Sequence, residues 1–355
     1  MTATRIALAA TLLAGPAAGQ GLYGLETQAD GFAVPQRGVP FEFPRDHGPH
    51  PDYRIEWWYL TANLRGEDGR DYGVQWTLFR TALAPVDDGA PWTTSQLWMG
   101  HMGVTTPDDH FHSERLARGG IGQAGVEAEP FRAWIDEWSM EGDTPAQVRL
   151  TASGETAAYD LAMSATGPFV PQGEDGYSVK SETGQASYYY SQPFYEVEGT
   201  LTLPEGEVAV TGTGWMDREW SSQFLADGQT GWDWFSLSFD SGERMMAFRL
   251  RDAERGDYTS ATWIGSDGTP TPMEPGAATL TPLGEAEVAG RTVPVRWRIE
   301  LPERGLDVTA EPVNERSWMG TSFPYWEGPM RISGTHGGRG YLEMTGYLPD
   351  EAAGG

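Results

Sequence analysis

The segment Gly212-Thr213-Gly214-Trp215-Met216-Asp217-Arg218-Glu219-Trp220 mixes aromatic and acidic side chains, and a second aromatic segment, Gly231-Trp232-Asp233-Trp234-Phe235, follows it closely. Tryptophan buries a large apolar area but needs a partner for its indole N–H, and a buried carboxylate needs a partner or a raised pKa. We therefore expect this region to line a pocket. In a strand, alternate side chains point to opposite faces. One face would then carry Trp215, Asp217 and Glu219, and the other would carry Met216, Arg218 and Trp220.

Asp217 and Glu219 would lie roughly 7 Å apart on the shared face. Carboxylates this close raise each other's pKa, which can keep a carboxylic acid protonated near neutral pH. Asp217, assisted by Glu219, is therefore a candidate general acid. The alternative is that both carboxylates pair with Arg218 and Arg244 at a barrel rim, and the sequence leaves both interpretations open.

The first residues have the pattern of a secretory signal peptide, because Arg5 precedes the apolar run of residues 6–14 and small residues follow at 17–19. We expect residues 1–19 to be a cleaved signal peptide and the mature protein to be periplasmic or secreted. The proline-rich residues 20–52 predict an extended N-terminal arm. No later stretch approaches the ~20 apolar residues of a bilayer span, so we expect no stable membrane insertion.

Composition predicts an all-β protein, since 46 Gly, 25 Pro and 15 Trp accompany short apolar runs without long helical periodicity. The length exceeds what one core usually supports. We therefore expect two domains, residues 53–210 and residues 211–350, that share an interface built from the tryptophan-rich segment. The chain has no cysteine, which excludes disulfides and thiol catalysis. Its net charge of -27 argues against nucleic acid as a partner, because that requires basic patches.

Two aromatic runs, residues 53–64 and 72–80, flank a turn and predict a β-hairpin. Glu56, Gln75 and Arg80 are polar groups within these runs. Either they face a ligand cavity, or Glu56 and Arg80 form a buried ion pair, which we favour slightly. The candidate ligand contacts in this hairpin are Glu56, Trp58, Gln75 and Trp76.

Three histidines, His101, His110 and His112, lie close together in the chain. A simple hairpin around residues 107–110 would separate the rings of His101 and His112 by roughly 13 Å, too far for one metal ion. We therefore predict no metal site, with His101 a candidate acid, base or hydrogen-bond donor and the other two histidines in a turn. Among the successive tyrosines 188–190, Tyr189 is a candidate hydrogen-bond donor or weak acid.

An ordered series of motifs runs from Glu56 to Tyr347 and includes EWWYLTANL, GVQWTLFRTAL, GEDGYSVKS, SYYYSQP, GTGWMDREWSSQF, GWDWFSLSFDSGERMMAFRLR and YWEGPMRISG. In these motifs the chain resembles the AttH and carotenoid 1,2-hydratase (hydroxyneurosporene synthase) superfamily, in its secreted form. The resemblance implies two tandem lipocalin-like antiparallel β-barrels. It also implies cofactor-free hydration of a terminal isoprenoid C=C bond, although this chain has the secreted AttH-type pattern rather than a clear match to the pigment enzymes.

Hydration of a trisubstituted alkene needs a strong general acid, a cavity that excludes water, and aromatic faces that stabilise a tertiary carbocation. Asp217 or Glu219 could supply the proton. The residues that could supply aromatic faces are Trp215, Trp220, Trp232, Trp234 and Tyr189. No cofactor is required.

The competing interpretation is a non-catalytic periplasmic protein that binds a hydrophobic small molecule and passes it to or from an ABC transporter. A lipocalin-like barrel, with closed β-walls around an apolar ligand, suits this role. The same aromatic residues would then contact the ligand, and the Asp217–Glu219 pair would be structural. A binding protein should tolerate Asp217→Asn, whereas an acid catalyst should not.

Overall fold

The structure, a computed structural model, describes residues 30–85, 94–223 and 225–349. These residues contain strands, turns and two short 3-10 turns, with no α-helix among them, which confirms the all-β class. None of the helical turns in these ranges is long and apolar enough to cross a bilayer. The predicted signal peptide lies outside the described residues. Residues 30–52 of the predicted arm contain no strand and one 3-10 turn, Arg45–His47.

The first sheet has thirteen antiparallel strands in the order β4-β3-β2-β1-β13-β12-β9-β8-β7-β6-β5, with β10 and β11 also paired to β12. Its strands are β1 (Ile55–Gly66), β2 (Asp71–Ala82), β3 (Gln96–Thr105), β4 (His110–Arg118), β5 (Ala124–Ala128), β6 (Phe131–Ile135), β7 (Trp138–Thr144), β8 (Gln147–Ser153), β9 (Ala158–Ala165), β10 (Val170–Pro171), β11 (Tyr177–Val179), β12 (Ala186–Leu203) and β13 (Gly206–Ser221). The sheet curls into a nearly closed barrel. Arg115 of β4 forms a 2.7 Å ion pair with Glu137 in the β6–β7 turn, across the remaining gap.

The second sheet has ten strands in the order β17-β16-β15-β14-β23-β22-β20-β19-β18, with β21 paired to β22. Its strands are β14 (Gln229–Phe239), β15 (Arg244–Asp252), β16 (Tyr258–Ile264), β17 (Pro270–Pro272), β18 (Thr279–Val288), β19 (Arg291–Leu301), β20 (Leu306–Pro312), β21 (Trp318–Met319), β22 (Tyr325–Gly334) and β23 (Gly338–Met344). This sheet forms a half-barrel. The predicted pair of tandem barrels is thus present as one nearly closed barrel followed by a more open one.

The predicted boundary at residue 211 falls inside β13. That strand pairs along its length with β1 and β12, so it belongs to the first sheet. The chain passes from one sheet to the other between Ser221 and Gln229. Residues 212–220, predicted to begin the second domain, are therefore in the last strand of the first sheet.

Alternation along β1 and β13 separates the two faces of the first sheet. Trp58, Leu60, Met216 and Trp220 point into the barrel core. On the opposite face, Tyr59 and Trp215 join a cluster that also contains Trp234, Met246 and Tyr341 of the second sheet. The outer face of the barrel therefore packs against the second sheet, which confirms the predicted aromatic interface.

Ion pairs reinforce this contact between the sheets. Asp71 of β2 lies 2.8 Å from Arg331 and 2.9 Å from Arg339, which are on β22 and β23. Arg65 approaches the same carboxylate at 2.7 Å. These three guanidinium groups hold the pKa of Asp71 down at about 2 against the opposing effect of burial.

Candidate functional site

A cavity with about 890 Å³ of empty space, partly open to solvent, lies between the two sheets. The cavity is outside the first barrel, whose interior is filled by buried side chains such as Trp58, Trp76 and Trp138. The expectation that a ligand would lie inside a closed barrel is therefore not met by this cavity, because bulky aromatic residues occupy the barrel core.

The floor of the cavity consists of two neighbouring rows of cross-strand partners on the first sheet. Side chains directly opposite on paired strands lie side by side on one face. The first row contains Asp217, Tyr59 and Thr77, and Ser191 extends this row beyond the cavity lining. The second row is Tyr189, Glu219, Trp57, Phe79 and Met99. The predicted face of Trp215, Asp217 and Glu219 is confirmed, and both carboxylates line the cavity.

The roof comes mainly from the second sheet. Trp234 pairs with Phe248 on β15 and with Glu343 on β23, and Trp232 pairs with Leu250. All five side chains line the cavity. The ring of Trp234 meets that of Tyr59 edge to face at 5.2 Å, which joins roof to floor.

Asp217 is buried and accepts three hydrogen bonds. Tyr189 Oη donates to Oδ2 at 2.7 Å, Trp215 Nε1 donates to Oδ1 at 2.7 Å, and the Ser191 hydroxyl also donates to Oδ1. Burial raises the pKa of Asp217 to about 7, against the lowering effect of these donors, and the charge of Glu219 adds to the increase. Asp217 is therefore a carboxyl group that can hold or release a proton near neutral pH.

Tyr189 connects Asp217 to the roof. Its hydroxyl accepts a 3.0 Å hydrogen bond from Trp234 Nε1 while it donates to Asp217. Burial and the neighbouring carboxylates raise the pKa of Tyr189 well above its usual value, so the phenol remains protonated. Of the residues predicted to provide aromatic faces, Tyr189, Trp232 and Trp234 line the cavity, and Trp215 lies behind Asp217 as its hydrogen-bond donor.

Glu219 has a cationic partner, Lys180, whose Nζ lies 2.7 Å from Oε1. Ser187 also donates a hydrogen bond to this carboxylate. The alternative of pairing with Arg218 and Arg244 is wrong in its partners. Arg218 points to the other face of β13 and pairs with Glu56, and Arg244 donates to backbone carbonyls such as that of Pro193. The carboxylate and the ammonium lie in the same buried wall, so Glu219 is a member of a buried ion pair.

Lys180 was not identified from the sequence, although a signal existed. It is the only lysine in the chain. It is also buried, and its Nζ lies 4.4 Å from the ring centre of Phe248 and 5.1 Å from that of Tyr189. Burial lowers the pKa of Lys180, and the charge of Glu219 counteracts this effect.

Two further acidic residues, Glu327 and Glu343, were also missed. They are direct cross-strand partners on β22 and β23. Glu343 lines the cavity and accepts a hydrogen bond from Trp232 Nε1. Glu327 is fully buried and accepts a 2.8 Å hydrogen bond from Tyr59 Oη. Burial raises the pKa of Glu343 to about 7 and that of Glu327 well above its usual value.

Several predicted ligand contacts lie elsewhere. Trp58, Trp76 and Trp220 point into the barrel core, because they occupy the opposite phase of their strands from the cavity face. Trp220 stacks on His50 of the N-terminal arm at 4.0 Å. Gln75 donates to Tyr325 Oη at 3.2 Å across the contact between the sheets and does not line the cavity.

Glu56 lies at the edge of the cavity, and the predicted buried ion pair with Arg80 is confirmed. A second guanidinium, that of Arg218, binds the other carboxylate oxygen. The backbone N–H of His50 adds a 2.9 Å hydrogen bond. These cations hold the pKa of Glu56 well below its usual value despite complete burial, so Glu56 is a structural anion.

The histidine region differs from the predicted hairpin. In the observed register, His101 pairs with Glu114 and His112 pairs with Gly103. His110 and His112 are therefore strand residues, not turn residues, and their rings stack 6.0 Å apart. His101 contacts Tyr325 at 3.0 Å and Glu114 at 3.1 Å, and it does not line the cavity. In the ranges that the structure describes, no group of three metal-ligating side chains converges.

Comparisons with known proteins place the geometry in context. A family model described as AttH-like matches residues 34–347. The crystal structure of a Nitrosomonas europaea protein assigned as an AttH is 31% identical, with a TM-score of 0.81, over 89% of this chain and 100% of that one. Kievitone hydratase from Nectria haematococca gives a TM-score of 0.65 at 16% identity, over 90% of this chain and 97% of its own.

CghA gives a TM-score of 0.51 at 15% identity, over 90% of this chain and 94% of its own. At identities this low, kievitone hydratase and CghA establish the shared fold alone. No match was found among curated protein sequences.

Proposed function

We propose that this protein, which belongs to the AttH-like family, takes an apolar, isoprenoid-like molecule into the cavity between its two sheets and adds water to a C=C bond of that molecule. The observation that carries the proposal is the position of Asp217. It is a buried carboxyl group on the floor of an aromatic cavity, and its pKa of about 7 allows it to be protonated at neutral pH. A family relationship alone would not assign this chemistry.

In the first step, protonated Asp217 transfers its proton to one alkene carbon, and the π electrons form the new C–H bond. The donors around Asp217 favour this step, because Tyr189, Trp215 and Ser191 stabilise the carboxylate that remains. The neighbouring carbon becomes a tertiary cation. Aromatic faces in the cavity wall, such as those of Trp57, Trp232 and Trp234, stabilise it. Water then attacks the cation and loses a proton.

Kievitone hydratase, a protein named for a hydration reaction, has the same fold. Its fold is therefore compatible with this class of reaction. The periplasmic location, the hydrophobic ligand and an association with an ABC transporter stay predictions from the sequence.

A second candidate function, ligand binding without chemistry, is favoured by the Lys180–Glu219 ion pair. The pair gives Glu219 a structural partner, and a structural role for the acidic side chains is what the binding interpretation predicts. Such a protein would carry an apolar ligand in the same cavity, and Asp217 would serve only as a hydrogen-bond acceptor.

Farnesol, an isoprenoid alcohol that ends in a trisubstituted alkene, tests the proposal. We expect its binding to quench tryptophan fluorescence, and incubation in ¹⁸O-labelled water to give a product heavier by one labelled water. Asp217→Asn should lower the rate of product formation by about 10² to 10⁴-fold and retain binding. Glu285→Gln, at an exposed site on β18, should change neither the rate nor the binding. Binding without product in the wild type would favour the carrier function.

A further inference from the structure

The roof of the cavity contains a pair of acidic side chains that the scheme above does not use. Glu343 and Glu327 are direct cross-strand partners. Glu327 is fully buried, and Glu343 is partly exposed in the cavity. Trp234 is the cross-strand neighbour of Glu343 on β14. Tyr59 of the first sheet contacts Glu327 through its hydroxyl group. Glu343 lines the cavity, and Glu327 lies behind it.

The hydrogen bonds distinguish the two carboxyl groups. Glu343 accepts from Trp232 Nε1. Glu327 Oε1 accepts from Tyr59, but its Oε2, in a side chain with no exposed surface, has no donor among the described residues. The carboxyl groups of Glu327 and Glu343 are within hydrogen-bonding reach of each other. Two carboxylates in such contact need a proton between them.

That proton belongs on Glu327. Glu327 has no exposed surface, whereas Glu343 is partly exposed, and burial raises the pKa of Glu327 well above its usual value. The unpartnered Oε2 is then an O–H that donates to Glu343, and Glu343 is the carboxylate of the pair. The other titratable groups around Glu343 are Asp217 and Glu219 on β13, Tyr59 on β1 and Tyr325 on β22. The cations that line the cavity, Lys180 and Arg80, are paired with Glu219 and Glu56.

We propose that Glu343 is the anionic group of the cavity roof, which faces the carbocation and takes the proton of the attacking water, while Glu327 holds it in position. This inference rests on the proposed function and assigns its second proton transfer. The water oxygen forms the new C–O bond, one O–H bond breaks, and its proton goes to the Glu343 carboxylate. Solvent at the cavity mouth then takes the proton from Glu343 and returns one to Asp217.

The position of the two acids also predicts a stereochemical course. Asp217 belongs to the floor and Glu343 to the roof, on different sheets. A proton delivered from the floor and a water held at the roof reach opposite faces of the alkene. The hydrogen and the hydroxyl group should therefore add to opposite faces.

A binding experiment tests the anionic roof without requiring turnover. Dodecyldimethylamine, which is cationic at neutral pH, imitates the carbocation, and dodecanol is its neutral counterpart. At a pH slightly above 7, we expect the wild type to prefer the amine. Glu343→Gln should weaken binding of the amine by about 30-fold or more, the cost of removing one partner of a desolvated charge pair, and leave dodecanol affinity unchanged.

Two substitutions, Glu327→Gln and Glu327→Leu, test whether Glu327 acts by holding the charged Glu343 in position. The glutamine amide can donate to Glu343 as the protonated carboxyl does, so it should keep the preference for the amine, whereas leucine should reduce it. Glu285→Gln is the control for a lost surface charge. If Glu343→Gln keeps the preference, or if only Asp217→Asn removes it, the assignment of Glu343 is wrong. If neither probe binds the wild type, the apolar cavity itself is not a ligand site, and the proposed function is overturned with it.

Deuterium incorporation distinguishes the base from the acid. In D₂O, Glu343→Gln should still form the cation from farnesol but capture it slowly. The cation then loses a proton, and recovered farnesol carries deuterium at the alkene carbon. Asp217→Asn should show neither product nor deuterium. Absence of deuterium in farnesol recovered from the Glu343→Gln variant, with normal hydration, would contradict the assigned role.

Discussion

Tyr59 of the first sheet donates a 2.8 Å hydrogen bond to Glu327 of the second sheet. Tyr59 is also the direct cross-strand partner of Asp217. One phenol thus lies beside the acid of the floor and binds the acid pair of the roof. The cavity is complete only when both sheets are present, because each sheet supplies one set of carboxyl groups and part of the aromatic wall.

Asp217→Asn should lower the rate of hydration by about 10² to 10⁴-fold, the usual contribution of a general acid. The wild-type rate should fall as the pH rises above about 7, because the acid must carry its proton to react and its pKa is about 7. Initial rates with farnesol across this range check both statements. A rate that rises through pH 7 would contradict an acid role for Asp217.

Strand periodicity correctly predicted the shared face of Asp217 and Glu219, which both line the cavity. The spacing of Trp215, Asp217 and Glu219 requires them to share a face once the segment is a strand, and Trp232 and Trp234 meet them from β14. The first hairpin and the Glu56–Arg80 pair were predictable for the same reason, since both depend on partners in adjacent strands.

Residues that come together because strands far apart in the sequence pair with each other could not be predicted from strand periodicity. Alternation shows that Trp58 and Tyr59 face opposite sides, but it does not show which side is the filled barrel core. Glu327 and Glu343 reach the site only because β23 lies next to β14, far away in the sequence. The position of Lys180 opposite Glu219 likewise follows from tertiary packing, although its status as the sole lysine was visible.

Lys180→Met should destabilise the fold by about 3–5 kcal/mol, because it leaves the buried Glu219 carboxylate without its cation. The double variant Lys180→Met/Glu219→Gln should recover most of this loss, since it removes both charges together. Urea unfolding of the two single variants and the double variant measures the coupling. Additive effects in the double variant would show that the two side chains do not stabilise each other.

Glu56→Gln should also destabilise the fold by about 3–5 kcal/mol, because Arg80 and Arg218 would lose a shared buried carboxylate. The matched control is Asp160→Asn, which breaks an exposed pair with Arg149 and should cost at most about 1 kcal/mol. Equal unfolding free energies for the two variants in urea would contradict the assigned importance of the buried triad.

Low pH should weaken the buried ion pairs that Glu56 forms with Arg80 and Arg218. The pKa of Glu56 is lowered in the folded state, so its contribution to stability is present above its ordinary value of 4.5 and is lost as the pH falls through the lower folded-state pKa. The difference in unfolding free energy between wild type and Glu56→Gln should therefore shrink as the pH falls below 4.5. A difference that stays constant down to the pH of acid unfolding would show that Glu56 does not titrate in this way.

Trp232 and Trp76 should respond differently to substitution, because the first lines the cavity and the second is in the barrel core. Trp232→Leu should weaken farnesol binding by roughly tenfold, through the lost aromatic contact and the lost hydrogen bond to Glu343. Trp76→Phe should leave farnesol affinity unchanged. Its effect on stability should also be small, because the void it creates is offset by removal of an indole N–H that has no partner among the described residues. Fluorescence titration and urea unfolding measure the two effects, and a loss of affinity in Trp76→Phe equal to that in Trp232→Leu would place the ligand in the barrel instead of between the sheets.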